Sequence, residues 1–286
     1  MKTKTFKHRA NQNSKKLALI TGAASGIGYH LALLLAKSGY NLMLVDIDDD
    51  KLKLTKNTIQ EKYSVNITVL AKDLSQPRVA VDIVKELDGS PVEVLVNNAG
   101  FGLFGNFSNT NWQRESDMLH LHVMMTTHLT KLLLKGMVRR GRGKILNLSS
   151  LAAFQPGPLM SIYYASKAYI LSFSEAIARE LKGTGVSVTA LCPGPTKTGF
   201  QGVVAETSLK NKIKFNMASA QAVAQYGYDA MMKGKTVAIP GKTNWLLANL
   251  PRFFPRSVVT SIVKRIQEKN RFGKLGKEKY LSQYSM

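Results

Sequence analysis

Thr21-Gly22-Ala23-Ala24-Ser25-Gly26-Ile27-Gly28 follows directly on the apolar run Leu17-Ala18-Leu19-Ile20, and this junction decides how the rest of the chain is read. A short apolar run ending in Thr-Gly reads as a buried parallel strand. The stretch from Gly26 to Ser38, stopped by Gly39, reads as the helix that follows it. In such a turn Gly22 permits the sharp exit from the strand, and Gly26 removes a side chain where a diphosphate must approach. Gly28 lets the helix pack closely. The free N–H groups and partial positive charge of the helix start, at Ser25, Gly26 and Ile27, suit phosphate. A glycine triplet alone is weak evidence; its place between an apolar strand and a helix near the N-terminus gives it weight.

Outward from this turn the same rhythm continues. Leu42-Met43-Leu44-Val45 forms a second strand ending at Asp46, and a polar-rich helix is expected from about Asp49 to Tyr63. Asn66 to Ala71 is a third strand, and Asp73 and Pro77 open another helix. Val92 to Val96 is a fourth strand, ending in Asn97-Asn98-Ala99-Gly100. A long helix is expected from Trp112 to Arg140, with Gly136 as the place where it would bend. Lys144 to Leu148, Val186 to Leu191 and Thr236 to Ile239 complete seven strands, with helices at Ser161–Lys182 and Ala218–Met232 between them. Strictly alternating strands and helices imply right-handed crossovers. The fold class is therefore α/β, Rossmann-type and doubly wound, a seven-stranded parallel sheet with helices on both faces. We divide the chain into a disordered basic arm at 1–14, one domain at 15–240 and a basic amphipathic extension, partly helical, at 241–286.

Composition narrows the function classes. At 286 residues and 44% hydrophobic content the chain buries a full core. One cysteine, Cys192 at the end of an apolar run, excludes an intramolecular disulfide framework, fits a reducing compartment and reads as a buried structural thiol. The basic N-terminal residues are followed by a strand-sized run rather than a secretory h-region, so cytoplasmic residence is expected, with peripheral membrane contact as an alternative. Forty Lys and Arg against eighteen Asp and Glu give a formal charge of +22. That excess suits a solvated basic surface or an anionic lipid surface. No helix-turn-helix, zinc-finger spacing or RNP-like motif accompanies it, so specific nucleic-acid binding is not expected, and no metal site is either.

Asp46, ending the second strand, is placed to accept hydrogen bonds from the adenosine ribose hydroxyls and to repel a 2′-phosphate. Asp48, Asp49 and Asp50 add negative charge, and the glycine turn holds no Arg or Lys. NAD(H) is therefore preferred, with NADP(H) as the alternative; the competing reading makes Asp46 a helix cap. Tyr163 and Lys167 stand four apart and share one helix face. A cation there stabilises tyrosinate, which makes the phenol usable as general acid or base.

Thr21-Gly22-x-x-x-Gly26-x-Gly28, Asn97-Asn98-Ala99-Gly100, Ser150, Tyr163-x-x-x-Lys167 and Pro193-Gly194 occur together, in order, between about residues 15 and 240. With them the chain resembles the short-chain dehydrogenase/reductase family. The resemblance implies an oxidoreductase acting on CH–OH donors with NAD or NADP. Tyr163 is then the catalytic acid/base, Lys167 also holds the nicotinamide ribose, and Ser150, thirteen residues before Tyr163, holds the substrate carbonyl. Ser149 is the alternative serine, and a turn cap is the structural one. Asn98, Ala99 and Gly100 would line the adenosine end and stabilise the sheet. Pro193 and Gly194 would face the nicotinamide, with Thr196 or Thr198 near its carboxamide. Asp73, with Leu74 beside it, resembles the adenine-contacting aspartate. A homodimer or homotetramer is implied in the same way.

Two places depart from the family pattern. The long helix carries His122 where an asparagine usually anchors a water in the proton relay. A relaying histidine and a neutral, hydrogen-bonded packing residue both stand open. Beyond Pro240 the chain is apolar and basic but too interrupted for a membrane span. It reads as an interfacial helix on anionic lipid, as a flap over an apolar pocket together with residues 198–216, or as a subunit contact. The stretch from Lys269 is polar and expected to be mobile. The substrate expected is a small apolar alcohol or carbonyl compound. Two rivals differ in class: a cofactor-binding regulator with little turnover, and a serine hydrolase using Ser150 as nucleophile.

Overall fold

The structure, a computed structural model, describes residues 16–199 and 217–282, with side chains described to residue 269. The arm at 1–14 and residues 200–216 of the expected flap lie outside the described residues. Strands β1 (Leu17–Thr21), β2 (Asn41–Asp46), β3 (Ile67–Ala71), β4 (Val92–Asn97), β5 (Gly143–Leu148) and β6 (Val186–Leu191) alternate with helices α1 (Gly26–Lys37), α2 (Asp49–Gln60), α3 (Val79–Glu86), α4 (Trp112–Leu119), α5 (Thr126–Arg139) and α6 (Ser161–Glu180). A short pair, β7 (Thr196–Lys197) and β8 (Ala218–Ser219), precedes α7 (Ala220–Met232), β9 (Val237–Ala238), α8 (Lys242–Asn249) and α9 (Arg256–Ser282).

The main sheet has seven parallel strands in the order β3-β2-β1-β4-β5-β6-β9. Its strands read as continuous apolar runs because both faces are covered. Ala18 and Ile20 of β1, with Leu42 and Leu44 of β2, pack on one side against Leu31 and Leu35 of α1, Leu52 and Ile59 of α2 and Val223 of α7. Their alternates Leu19, Met43 and Val45 pack on the other side against Ile83 of α3 and Leu129, Leu133 and Met137 of α5. The strand order reverses between β1 and β4, which leaves a crevice at the carboxyl ends of those strands.

Three local features differ from expectation. Gly136 lies inside α5 without ending it; the irregularity instead falls at His120–Met125, a wide π-type turn between α4 and α5. The last strand pairs over two residues only, against β6. Helix α9 continues past Lys269 to Ser282.

Candidate active site

The glycine turn is held by side chains arriving from β4. Asn98 Nδ2 donates to the carbonyls of Thr21 (3.0 Å) and Gly22 (2.9 Å), while Thr21 Oγ1 accepts from the amides of Asn98 and Ala99. Gly22 adopts φ +67°, where L side chains are strained. A Cβ on Gly28 would stand 2.0 Å from the Gly22 carbonyl oxygen and 2.5 Å from Asn98 Nδ2. Gly28 thus closes the turn on itself, a tighter requirement than packing the helix on the sheet. Ser25, at the N-cap of α1, makes no side-chain capping bond, and no acidic residue lies in the first turn. The helix start therefore offers its amides to the crevice, where the sequence places a diphosphate.

Asp46 binds both sides of this corner: Oδ2 accepts from Ala24 N (3.0 Å), and Oδ1 accepts from Ile47 N (2.8 Å) and Asp48 N (3.2 Å). The cap of α2 is Asp48, which accepts from Lys51 N, so Asp46 is not spent as a helix cap. Asp73 accepts from Ser75 N, Ser75 Oγ and Gln76 Nε2. Burial works to raise the Asp73 carboxyl, but those hydrogen bonds outweigh it and hold the group below its ordinary value. Asp73 is thus a turn former that also borders the cleft, beside Leu74.

At the end of β5 the two serines separate by function. Ser149 is buried and donates to the Lys167 carbonyl (2.8 Å), which ties β5 to α6. Ser150 Oγ accepts from Ala152 N (3.1 Å), capping a short 3₁₀ turn at Leu151–Phe154, and its hydroxyl also lines the cleft. The turn-cap reading of Ser150 is therefore observed, and it leaves the hydroxyl proton to face the cleft. Lys167 is almost fully buried, donates to the Leu148 carbonyl (2.9 Å) and stands 5.7 Å from the centre of the Tyr163 ring. Burial pulls the Lys167 ammonium down to about 7. The thiol of Cys192 is also buried, and burial pushes it up to about 12, as a structural thiol requires.

His122, on the π-type turn, is fully buried. Its Nδ1 lies 2.9 Å from Ser166 Oγ, and that hydroxyl donates its one proton to the Tyr163 carbonyl (2.8 Å). Ser166 can then only accept from the ring, so Nδ1 carries the hydrogen and Nε2 presents a bare lone pair. Nε2 has no partner. It points towards Gly100, where an added Cβ would meet it at 2.6 Å and Lys167 Nζ at 3.5 Å. Burial first, and the Lys167 charge second, hold the imidazole well below its ordinary value, so it is neutral.

These residues border one cavity of about 1020 Å³. It runs from Asp46, Asp73 and Leu74, past Gly22, Ser25, Gly26 and Ile27, along Asn98, Ala99 and Gly100, to Ser150, Tyr163, Lys167, Pro193, Gly194, Thr196 and Thr198. Of the residues selected from sequence, Gly28 and His122 stand behind its wall. Thr196 Oγ1 donates to the Gly194 carbonyl (2.9 Å) and is buried, which leaves Thr198 the more open of the two threonines. The far end of the cavity was legible only as one of the three readings of the tail, a flap over an apolar pocket. Leu247, Leu250, Phe254, Val259, Val263 and Ile266 of the tail close it, joined by Phe101, Leu121 and Met160. Gln267 Nε2 donates to Tyr164 Oη (2.7 Å), tying α9 to α6 one residue beyond Tyr163. Arg114 stacks over Phe101 at 4.6 Å and also borders this end. An i,i+4 pattern in the tail signals amphipathicity but not which cavity it covers.

A nucleotide-sized crevice at a sheet's switch point, running into a half-buried tyrosine beside a buried lysine, defines the class: a Rossmann-type dinucleotide-binding oxidoreductase domain. The profile of the short chain dehydrogenase family matches residues 16–209. The chain belongs to that family. It is 39% identical over 177 residues to a very-long-chain 3-oxoacyl-CoA reductase of Phaeosphaeria nodorum, a match covering 60% of this chain and 52% of that protein. It is 30% identical over 236 residues to the ketoacyl reductase HetN of a Nostoc species, covering 82% and 78%. A solved short-chain dehydrogenase from Sphingobium yanoikuyae in complex with NADPH superposes with a TM-score of 0.75 at 26% identity, covering 83% of this chain and 94% of that one. The chain thus spans about half the length of the fungal relative and most of the cyanobacterial one.

Proposed function

We propose that the chain interconverts an apolar secondary alcohol and its ketone, with NAD(H) preferred to NADP(H), and uses Tyr163 as the general acid/base. The observation carrying this reading is the convergence of Ser150, Tyr163 and Lys167 on the cavity that the uncapped start of α1 also borders. A bound nicotinamide would supply or accept the hydride; Gly22, Ser25, Gly26, Ile27 and Asp46 would hold its dinucleotide, and Asn98 to Gly100 would support it. The chain's own residues handle the rest. In the reducing direction Ser150 donates a hydrogen bond to the carbonyl oxygen and Tyr163 gives that oxygen its proton. Lys167 stabilises the tyrosinate left behind. His122 is a positioning residue: neutral, with its bare Nε2 near Lys167, it offers a hydrogen-bond acceptor there and supplies no proton itself.

Asp46 supports the NAD(H) preference, because its carboxylate faces the adenosine end and would repel a 2′-phosphate. The Sphingobium relative was solved with NADPH, so the preference rests on Asp46 of this chain. The names of the relatives put a 3-oxoacyl chain first among candidate substrates, and the apolar far end of the cavity agrees. Assembly as a homodimer or homotetramer is carried by family likeness alone.

Titration with NADH and NADPH, followed by nicotinamide fluorescence, tests the cofactor half; tight NADH and weak NADPH binding is expected. Tyr163→Phe should cost about 10²–10⁴-fold in turnover while NADH affinity stays within experimental scatter. Retained turnover in that variant would remove the acid/base assignment. His122→Leu should lower kcat and displace its pH profile with NADH affinity unchanged. A variant with only a lower melting temperature would return His122 to a packing role.

A further inference from the structure

Among the described residues, nine of the seventeen large apolar side chains left exposed fall between residues 245 and 266. Trp245, Leu246 and Phe253 are exposed and take no part in the cleft lining, and Phe253 is 80% exposed. On α9 the stripe Val258, Ile262, Ile266 faces outward, while Val259 and Val263, one position on, are buried. The helix therefore has two apolar stripes, one packed on the body and one half-exposed along the mouth of the cleft. Exposed cations stand among these side chains: Lys242, Arg252, Arg256, Lys264, Arg265 and Lys269, against Glu268 as the one carboxylate in 242–269.

A patch this apolar on a soluble surface marks a docking site. Its charge selects the occupant. Two copies meeting through this face would bring like charges together, which costs several kcal/mol. An anionic bilayer surface accepts both halves of the chemistry, with aromatic and aliphatic groups entering the headgroup boundary and Lys and Arg meeting lipid phosphates and carboxylates. No helix among the described residues is long and apolar enough to cross a membrane. We propose that α8, the turn Leu250–Phe253 and α9 form a platform that lies on anionic lipid, with the apolar end of the cleft opening at its edge.

Leu250, Phe254, Val258 and Ile262 line the cavity and are also exposed. They make a continuous apolar path between bilayer and cleft, so an apolar substrate would enter from lipid rather than from water. That last step rests on the proposed oxidoreductase activity; the docking itself does not.

The test uses the full chain and vesicles of phosphatidylcholine with and without phosphatidylserine. Sedimentation with the phosphatidylserine vesicles is expected, weakening as salt rises. Phe253→Glu should reduce it about tenfold, or about 1.4 kcal/mol, with NADH binding and turnover of a water-soluble carbonyl unchanged. In a Trp112→Phe background, Trp245 becomes the single tryptophan, and its emission should shift blue only with phosphatidylserine. Absence of sedimentation would overturn the proposal. So would sedimentation that Phe253→Glu leaves untouched with Trp245 unshifted, or a dimer that Phe253→Glu dissociates. Vesicle binding without any turnover would leave the docking intact and sink the activity instead.

Discussion

The two ends of the cleft are built on opposite principles. At the glycine-turn end the surface is largely backbone, with the Asp46 carboxylate beside it: the amides of the α1 start, a glycine whose Cβ would strike a carbonyl oxygen at 2.0 Å, and an asparagine bonded to two carbonyls of the same turn. At the substrate end it is side chain. Leu250, Phe254, Val258 and Ile262 are half in the cleft and half outside it, on the tail whose helix α9 is tied to α6 by the hydrogen bond from Gln267 to Tyr164. A backbone site binds one shape and tolerates no substitution. A wall of aliphatic side chains sets volume and polarity, and accepts replacement by other apolar groups.

The largest test of this contrast is Gly28→Ala. No rotamer relieves a Cβ against backbone, so the turn must open, at a cost on the order of 1–3 kcal/mol or more. The NADH fluorescence signal should disappear while the circular dichroism of the sheet persists. The matched change at the other end, Phe254→Ala, should raise KM severalfold and leave NADH affinity alone. Equal loss of NADH binding in both variants would erase the distinction.

The middle of the cleft, where the ends meet, is tested through pH. Burial lowers the Lys167 ammonium from 10.5 to about 7 in the free protein. Between those values the unfolded chain holds a proton that the folded one has released, so this group adds stability as pH rises from about 7 to 10.5 and withdraws it as pH falls. Wild type should therefore gain on Lys167→Met across that window, by an amount on the order of a few kcal/mol. Thermal unfolding of both proteins without cofactor measures it. A constant gap from pH 7 to 10 would mean that the lysine keeps its ordinary affinity for protons.

Asp46→Asn carries a smaller effect at the nucleotide end. The amide keeps one acceptor for the three backbone N–H groups that now converge on the carboxylate, and it no longer repels a 2′-phosphate. NADH should bind about tenfold more weakly, as for loss of a charge-assisted hydrogen bond, and NADPH should gain relative to it. An unchanged NADH/NADPH ratio would remove Asp46 from cofactor selection.

The same contrast explains what was legible from the chain alone. Rigid parts announce themselves in single residues: a glycine that cannot carry a Cβ, an Asp at a strand end, a Tyr and Lys four apart. Even there, tertiary partners stayed hidden. Asn147, bridging Asn97 and Ser174 through the sheet, looked like one polar residue in a strand, and Ser166 gave no sign that it fixes the His122 tautomer. The π-type turn carrying His122 was invisible because its sequence has ordinary helical spacing. The tail was read as three alternatives because an amphipathic pattern states that a face is buried, not against what.

The smallest effect expected bears on that tail. Tyr164→Phe keeps the ring that packs against Gly157 and removes only the hydroxyl that accepts from Gln267. The loss should be about 0.5–1.5 kcal/mol, as for a net intramolecular hydrogen bond. Because α9 closes only the apolar end of the cleft, this loosening should appear as a modest rise in KM for bulky apolar ketones and faster proteolytic cutting near α9. NADH affinity, set some distance away by backbone, should not move. If NADH affinity falls in step with KM, the tail is mechanically continuous with the glycine turn, and the cleft has one kind of construction rather than two.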